Sequence, residues 1–321
     1  MPKFTTFRPD PYIVGILAAV AIAAFLPVHG SWVPPFSLFT KVVIGLLFFL
    51  YGARLPREAV IAGLMHWRLH ILVLTGTFLV FPLVGAAAGR LLAGVFASPL
   101  MLAGVLYLSC LPSTIQSSVA FVASARGNVA TAVCTASASN LFGVIATPLL
   151  VGLVMRTQGV HVPLSAVEAI IVQVLLPFVL GQIVHPWLAA WTQRHRFVLT
   201  LFDRGSIILL VYGAFSAAVV AGVWRQVSWA DLGVVVVFDA ILLAAALIAL
   251  TRASRALKFS IEDEVVVVFC GSQKGITVGV ALSSLLFAPG DAGLIVLPLM
   301  IYHQFQLITC AALARRYAQR S

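Results

Sequence analysis

Charge is what this sequence has least of. Asp and Glu number ten in 321 residues, and all charged residues together make up 9% of the chain. A water-soluble domain carries about 25%. A chain that is 61% hydrophobic has no such polar cover, so its main solvent is lipid. Cysteine is scarce too: Cys110, Cys134, Cys270 and Cys310 all lie in apolar stretches, without CxxC or Cys/His spacing. That argues against a zinc motif or a disulfide framework and leaves them as small packing residues. P-loop, nucleophile elbow, metal motif and dinucleotide fingerprint are all missing, which argues against an ATP-driven pump or a cofactor enzyme. The excess of twenty Lys and Arg gives a net charge of +10, but these residues fall in short loops rather than in runs with aromatics between them. No nucleic-acid partner is expected.

What is present is a series of apolar segments. A membrane-spanning helix needs about 20 mostly apolar residues, and ten segments meet or approach this: 11–29, 35–53, 69–89, 99–124, 128–155, 163–187, 198–222, 230–251, 263–287 and 291–313. The first has no cleavage signature after it and reads as a retained helix rather than a signal peptide. With the N-terminus inside, the inner loops hold fifteen basic residues, from Lys3, Arg8, Arg54, Arg57 and Arg68 to Arg320. The outer loops hold three, Arg90, Arg156 and Arg225; Lys41 and Lys274 are inside spans. This alternating asymmetry predicts ten helices with both termini cytoplasmic, in a protein expected in the bacterial inner membrane, with the lipid bilayer as its first partner.

Five segments precede Arg156 and five follow it, so residues 1–156 and 157–321 read as two repeats of opposite orientation. The fourth segment of each half is interrupted: "LSCLPSTIQSS" (Leu108–Ser118) in one, "VFCGSQKGITVG" (Val268–Gly279) in the other, with Cys110 and Cys270 offset by 160 residues. Proline and glycine weaken helix interiors. In lipid the freed backbone groups are tolerated only where protein or a wet cavity meets them. Paired interruptions in matching segments point to a binding site near the bilayer midplane.

Lys274 stands in that interruption, twelve residues past Glu262, or about 18 Å along a helix. There a lysine is costly, by about 2.5–3.5 kcal/mol. It either pairs with a carboxylate or with helix-end carbonyls, or serves the site. As a functional group it is a built-in cation at a negative half-helix end, or it holds an anionic substrate. Around it Ser272, Gln273 and Thr277 offer donors and acceptors, as do Ser113, Thr114, Gln116, Ser117 and Ser118 in the fourth segment. Thr131, Thr135 and Ser139 form an i, i+4, i+8 hydroxyl stripe in the fifth, followed by Asn140. Taken singly, each hydroxyl is as well explained by a bond to its own helix; clustered beside two breaks they read as a site. The tenth segment carries Tyr302, His303, Gln304 and Gln306, with His303 a candidate proton carrier or a hydrogen-bonded core residue. Gln173 and Gln182 in the sixth segment are weaker candidates. Asp239 is an intramembrane carboxylate, a candidate charge partner for Lys274 or a pathway residue. "IEDE" (Ile261–Glu264) fits the start of the ninth helix, where acids are favoured.

With "LFFLYGARLPREAVIAGLMHWRLHILVL" (Leu47–Leu74), "LPSTIQSSVAFVASARGNVATAVCTASASN", "LPFVLGQ", "GSQKG" and "LPLMIYHQFQL", the chain resembles the bile acid:sodium symporter superfamily, most closely its SBF-like branch, from about Asp10 to Arg315. The resemblance implies an all-α polytopic membrane protein with a panel of helices 1, 2, 6 and 7 and a core of helices 3–5 and 8–10. Broken helices 4 and 9 cross in that core. It also implies alternating-access transport of a solute bound between panel and core. Sodium-coupled members bind Na⁺ with a Glu shortly before a Gln-Asn pair in helix 9; here the Glu position falls at or next to Phe269, and Lys274 stands at the Asn position. Ser117 and Ser118 match a Ser-Asn pair, and the helix 5 hydroxyl positions fall near Ala132 and Ala136, with Thr131 and Thr135 one residue away.

The reading that follows is a secondary active transporter of an organic anion, not an enzyme, with Lys274 replacing a bound sodium ion or contacting substrate. No cofactor is expected beyond Na⁺ or H⁺ as coupling ion. A second transport reading keeps one Na⁺ near Ser117, Ser118 and Thr135. From another class, a non-transporting regulator of ion homeostasis would tolerate changes at Ser117, Gln273 and Lys274.

Overall fold

The computed structural model describes residues 11–54, 66–156, 168 and 171–320. Lys3, Arg8, Arg57 and the start of the sixth segment, 163–170 apart from Glu168, lie outside these residues. All regular structure among the described residues is helical: α1 Pro11–Phe25, α2 Val33–Arg54, α3 Trp67–Leu92, α4 Pro99–Ser109, α5 Gln116–Ser124, α6 Val129–Arg156, α7 Ile171–Arg194, α8 Arg196–Val220, α9 Trp229–Ala256, α10 Ile261–Ser272, α11 Ile276–Leu286 and α12 Pro289–Ala318. Eight stretches are long and apolar enough to cross a membrane, α10 and α11 counting together as one. Val14–Phe25 and α4 are shorter apolar helices. The chain is a polytopic membrane protein in contact with the bilayer.

Helix ends follow local chemistry. α1 stops at Phe25, short of the expected residue 29, because Pro27 disfavours a helical residue before it. α2 starts at Val33, with Pro34 and Pro35 in its first turn, where no intrahelical donor is required. Ser260 caps α10 by accepting from Asp263 N–H at 3.2 Å, and Glu262, Asp263 and Glu264 fill its first turn, as the sequence predicted.

The burial pattern is that of a lipid-facing bundle. Large apolar side chains such as Leu17, Leu149 and Ile241 point outward, and Trp32, Trp67 and Trp229 stand exposed at or beside helix starts, a placement suited to the membrane interface. α10 is the centre: Val265 through Cys270 are all fully buried. α2 and α7 approach closely through Gly52 and Gly181. A Cβ on Gly52 would collide with the Phe178 carbonyl, and one on Gly181 with the Phe49 carbonyl. Such small-residue contacts let helices pack tightly where lipid removes the hydrophobic drive.

Both interrupted segments are broken in the structure. α4 tightens at its end through Cys110 N–H to Tyr107 O and Leu111 N–H to Leu108 O, then gives way at Pro112 until α5 begins. α10 ends at Ser272, and Gln273 and Gly275 take extended backbone before α11. Glycine at 275 is therefore not needed for its conformation. The close approach needs it, since Gly275 N–H donates to Pro112 O at 2.9 Å and a Cβ there would sit 2.9 Å from Ser113 O.

Candidate functional site

A break in a buried helix frees carbonyls, and each needs a donor. Here each has one. Between α4 and α5, Cys110 O accepts from Thr147 Oγ1 at 3.0 Å, Pro112 O from Gly275 N–H, and Ser113 O from Asn140 Nδ2 at 2.9 Å. Ser109 O and Leu111 O accept from the Lys274 amine at 3.2 and 2.8 Å. A third carbonyl, Thr77 O, receives Nζ at 3.4 Å. It comes from the π turn Gly76–Val80 in α3, where Phe81 N–H bonds Gly76 O. Continued by one residue, that pattern would pair Thr77 O with residue 82, which is proline and has no N–H. The helix thus presents an unused acceptor to the lysine. An ammonium has three donors, and three carbonyls receive them. The Phe81 ring lies 4.0 Å from Nζ and adds a cation–π contact.

The lysine backbone is held from α12. Lys274 N–H donates to Gln306 Oε1 at 2.8 Å, and Gln306 Nε2 donates to Lys274 O at 3.1 Å. The same Nε2 meets His303 Nδ1 at 2.7 Å. Because the lysine fixes the amide's orientation, His303 Nδ1 accepts, which places the ring's proton on Nε2. Tyr302 OH donates to Ser272 O at 2.7 Å. The Ser272 hydroxyl turns back to Val268 O.

Gln273 joins the two breaks. Its Oε1 accepts from Ser117 Oγ at 2.6 Å and Ser118 Oγ at 3.2 Å, while Nε2 is buried without a partner. The hydroxyl stripe of α6 divides. Ser139 Oγ accepts from Ser113 N–H, but Thr135 bonds Thr131 O and His70 Nδ1, and the Thr131 N–H donates to Asn128 Oδ1 at the start of α6. Ser117 and Ser118 thus share Gln273, whereas Thr135 serves Thr131 and His70. Asp239 is fully buried on α9, with both carboxylate oxygens lacking a hydrogen-bond partner; it is not among the partners of Lys274. Gln182 Nε2 bonds Gly52 O, and Gln173 Oε1 is buried without a partner.

Beside the crossover is a cavity of about 290 Å³. Ser113, Thr114, Gln116, Asn140 and Thr277 line it; Lys274, Gln273, His303 and Gln306 do not. Its opposite wall is Phe48, Tyr51 and Phe178, and at that wall is an ion pair the sequence did not reveal. Arg54 Nη1 lies 2.6 Å and Nη2 3.3 Å from the two carboxylate oxygens of Asp203. Gln116 Nε2 reaches Asp203 Oδ2 at 3.4 Å. In the sequence Arg54 reads as a loop charge and nothing marks Asp203; the residues are 149 apart.

With this geometry in view, the comparisons decide the family. A model of the SBF-like CPA transporter family matches residues 10–319. The chain belongs to the SBF-like CPA transporter family. The expected kinship with the SBF-like branch of the bile acid:sodium symporter superfamily is borne out, and this SBF-like protein is a membrane transporter rather than an enzyme. It is 48% identical over 315 residues to "Uncharacterized protein PA2026" of Pseudomonas aeruginosa, covering 98% of this chain and 94% of the relative. It is 45% identical over 312 residues to "Putative symporter YfeH" of Escherichia coli, covering 97% and 94%. "Sodium/bile acid cotransporter 7" of Xenopus tropicalis is 26% identical over 309 residues, covering 94% and 89%.

Proposed function

We propose that the chain is a secondary active transporter of a small organic anion, working by alternating access in the bacterial inner membrane, with the Lys274 amine standing where a cation would otherwise bind. The observation that carries this reading is the convergence of Thr77, Ser109 and Leu111 carbonyls on Nζ, away from the cavity lining. Unwound carbonyls and half-helix ends are where transporters of this kind hold Na⁺. An ammonium tethered there brings the same charge without drawing an ion from solution. Coupling then falls to the proton gradient, and the sodium in the Xenopus relative's name stays with that protein.

The anionic character of the solute is supported by the N-termini of α5 and α11. Gln116 begins one and Thr277 is in the first turn of the other, and both line the cavity. Each such terminus carries about half a positive charge. The architecture belonging to this reading is ten spans in two inverted halves, 1–156 and 157–321. α1, α2, α7 and α8 form the panel, α3–α6 and α9–α12 the core, and both termini face the cytoplasm. The packing of α1 on α8 and of α2 on α7 supports it.

Uptake into proteoliposomes, measured over a panel of labelled monocarboxylates, tests the reading. Replacing Na⁺ by choline is expected to leave uptake unchanged, and collapsing the proton gradient to stop it. Strict Na⁺ dependence that survives in Lys274→Ala would overturn the tethered-cation reading and favour a Na⁺ site at Ser117 and Ser118.

A further inference from the structure

Several arginines near the helix ends are committed within the protein. Arg54 pairs with Asp203 and Arg255 with Glu264, while Arg68 donates to Leu257 O and Arg320 to Tyr317 O. Arg194 and Arg196 are different. Both are exposed, only His195 stands between them, and neither has a hydrogen bond or ion pair among the described residues. They flank the turn at which α7 ends and α8 begins. Both helices are long and apolar enough to cross a membrane, so the turn between them lies at the membrane surface. The sequence holds no acid between Glu168 and Asp203, and the Asp203 carboxylate is taken by Arg54. Two guanidiniums thus share one corner without a counter-charge among the described residues.

The flanks of this corner are apolar. On α7, Leu176, Leu180, Ile183, Trp187 and Trp191 are all exposed and recur at intervals of three or four, which puts them on one helix face. His195 steadies the last of them: its ring centroid lies 4.8 Å from that of Trp191, and its Nδ1 donates to Trp191 O at 2.9 Å. On α8, Phe197, Val198 and Leu201 are exposed as well. Past the corner the helices part, α7 packing on α2 and α8 on α1 and α12.

We propose that the α7–α8 corner docks an anionic phospholipid, its phosphate held between Arg194 and Arg196 and its acyl chains along the exposed faces of the two helices. Charge complementarity selects this occupant. Guanidinium donors match phosphate oxygens, and tryptophan is at home at headgroup level. A zwitterionic lipid would cover the same apolar faces but leave net positive charge at the corner. Phe178 on α7 and Asp203 on α8 both line the cavity, so the lipid fastens together two helices of its wall. The site is independent of which solute the chain carries.

Native mass spectrometry of the detergent-purified full chain tests the assignment with phosphatidylglycerol, phosphatidylethanolamine and phosphatidylcholine, all with oleoyl chains. The wild type is expected to retain one phosphatidylglycerol under conditions that strip the other two. Each basic side chain at an anionic surface contributes a factor of about five. Arg194→Gln/Arg196→Gln should therefore weaken retention about thirtyfold, and Arg196→Gln alone, which serves if the double variant does not fold, about fivefold. Arg315→Gln/Arg316→Gln removes the same charge from the exposed end of α12 and should leave retention unchanged. Trp187→Ala is expected to weaken all three lipids alike. The proposal is overturned if phosphatidylglycerol is retained no better than phosphatidylcholine, or if the α12 variant loses it as readily as the corner variant. Displacement of the lipid by an equal concentration of inorganic phosphate would also overturn it, by making the corner a site for a free anion.

Discussion

The amine of Lys274 lies 2.8 Å from the carbonyl oxygen of Leu111, across the junction of two broken helices 163 residues apart in sequence. Replacing Lys274 with Met keeps the length of the side chain and removes its donors. Three buried carbonyls then lose their partner, each at a cost of about 1–3 kcal/mol. Lys274→Met should lower the melting temperature and abolish measurable uptake in proteoliposomes.

Pro82 touches neither cavity nor amine by hydrogen bond, yet it is expected to matter. Pro82→Ala restores an N–H that competes with Lys274 for Thr77 O. Uptake should fall while thermal stability changes little, since the helix gains about as much regularity as the site loses. Equal loss of both measures would show that Pro82 serves packing alone.

Gln306 makes two bonds to the Lys274 main chain. Gln306→Ala should cost about 2 kcal/mol or more by stranding a buried N–H and a buried C=O together. Thermal denaturation in detergent measures this. Gln306→Glu retains the acceptor and is expected to fall between Ala and wild type.

Glycines divide by what surrounds them. Gly181→Ala should be destabilising by about 1–3 kcal/mol or more, because the methyl group has no room against Phe49 and Ala53. Gly205→Ala, in α8 with nothing near its Cβ position, should stabilise the chain by about 0.5–1 kcal/mol. Melting temperatures of the two variants, compared in one detergent, test the α2–α7 contact.

Much of the fold was legible because lipid simplifies the code. Apolar length marks the spans, and Pro112 and Gly275 mark the breaks. Lys274 was conspicuous as a charge where none is cheap. The sequence leaves two kinds of partner open, a carboxylate such as Asp239 or helix-end carbonyls; the structure gives the amine carbonyls, and which oxygens they are was not legible, since main-chain groups carry no signature of their own. Thr77 O was available only through a π turn ahead of Pro82, and the turn has no signature in the sequence. Arg54 was hidden for the opposite reason. At the end of an apolar run an arginine looks like one more topology signal, and only tertiary structure brings Asp203 to it. The cavity itself is a property of how helices meet, so Tyr51, Ser137 and Phe178 had no local signature.

The cluster around Lys274 also has a mechanical meaning. One side chain and its main-chain bonds fasten the ends of α4, α10 and α11, the middle of α3 and the face of α12 at a single point. These five pieces cannot slide past one another without breaking several buried hydrogen bonds at once. Any displacement that uncovers the cavity must therefore fall along the wall of Phe48, Tyr51 and Phe178, where mostly apolar contacts can be exchanged one for another. The lysine acts there as a rivet, and the seam that opens is set by where the rivet is not.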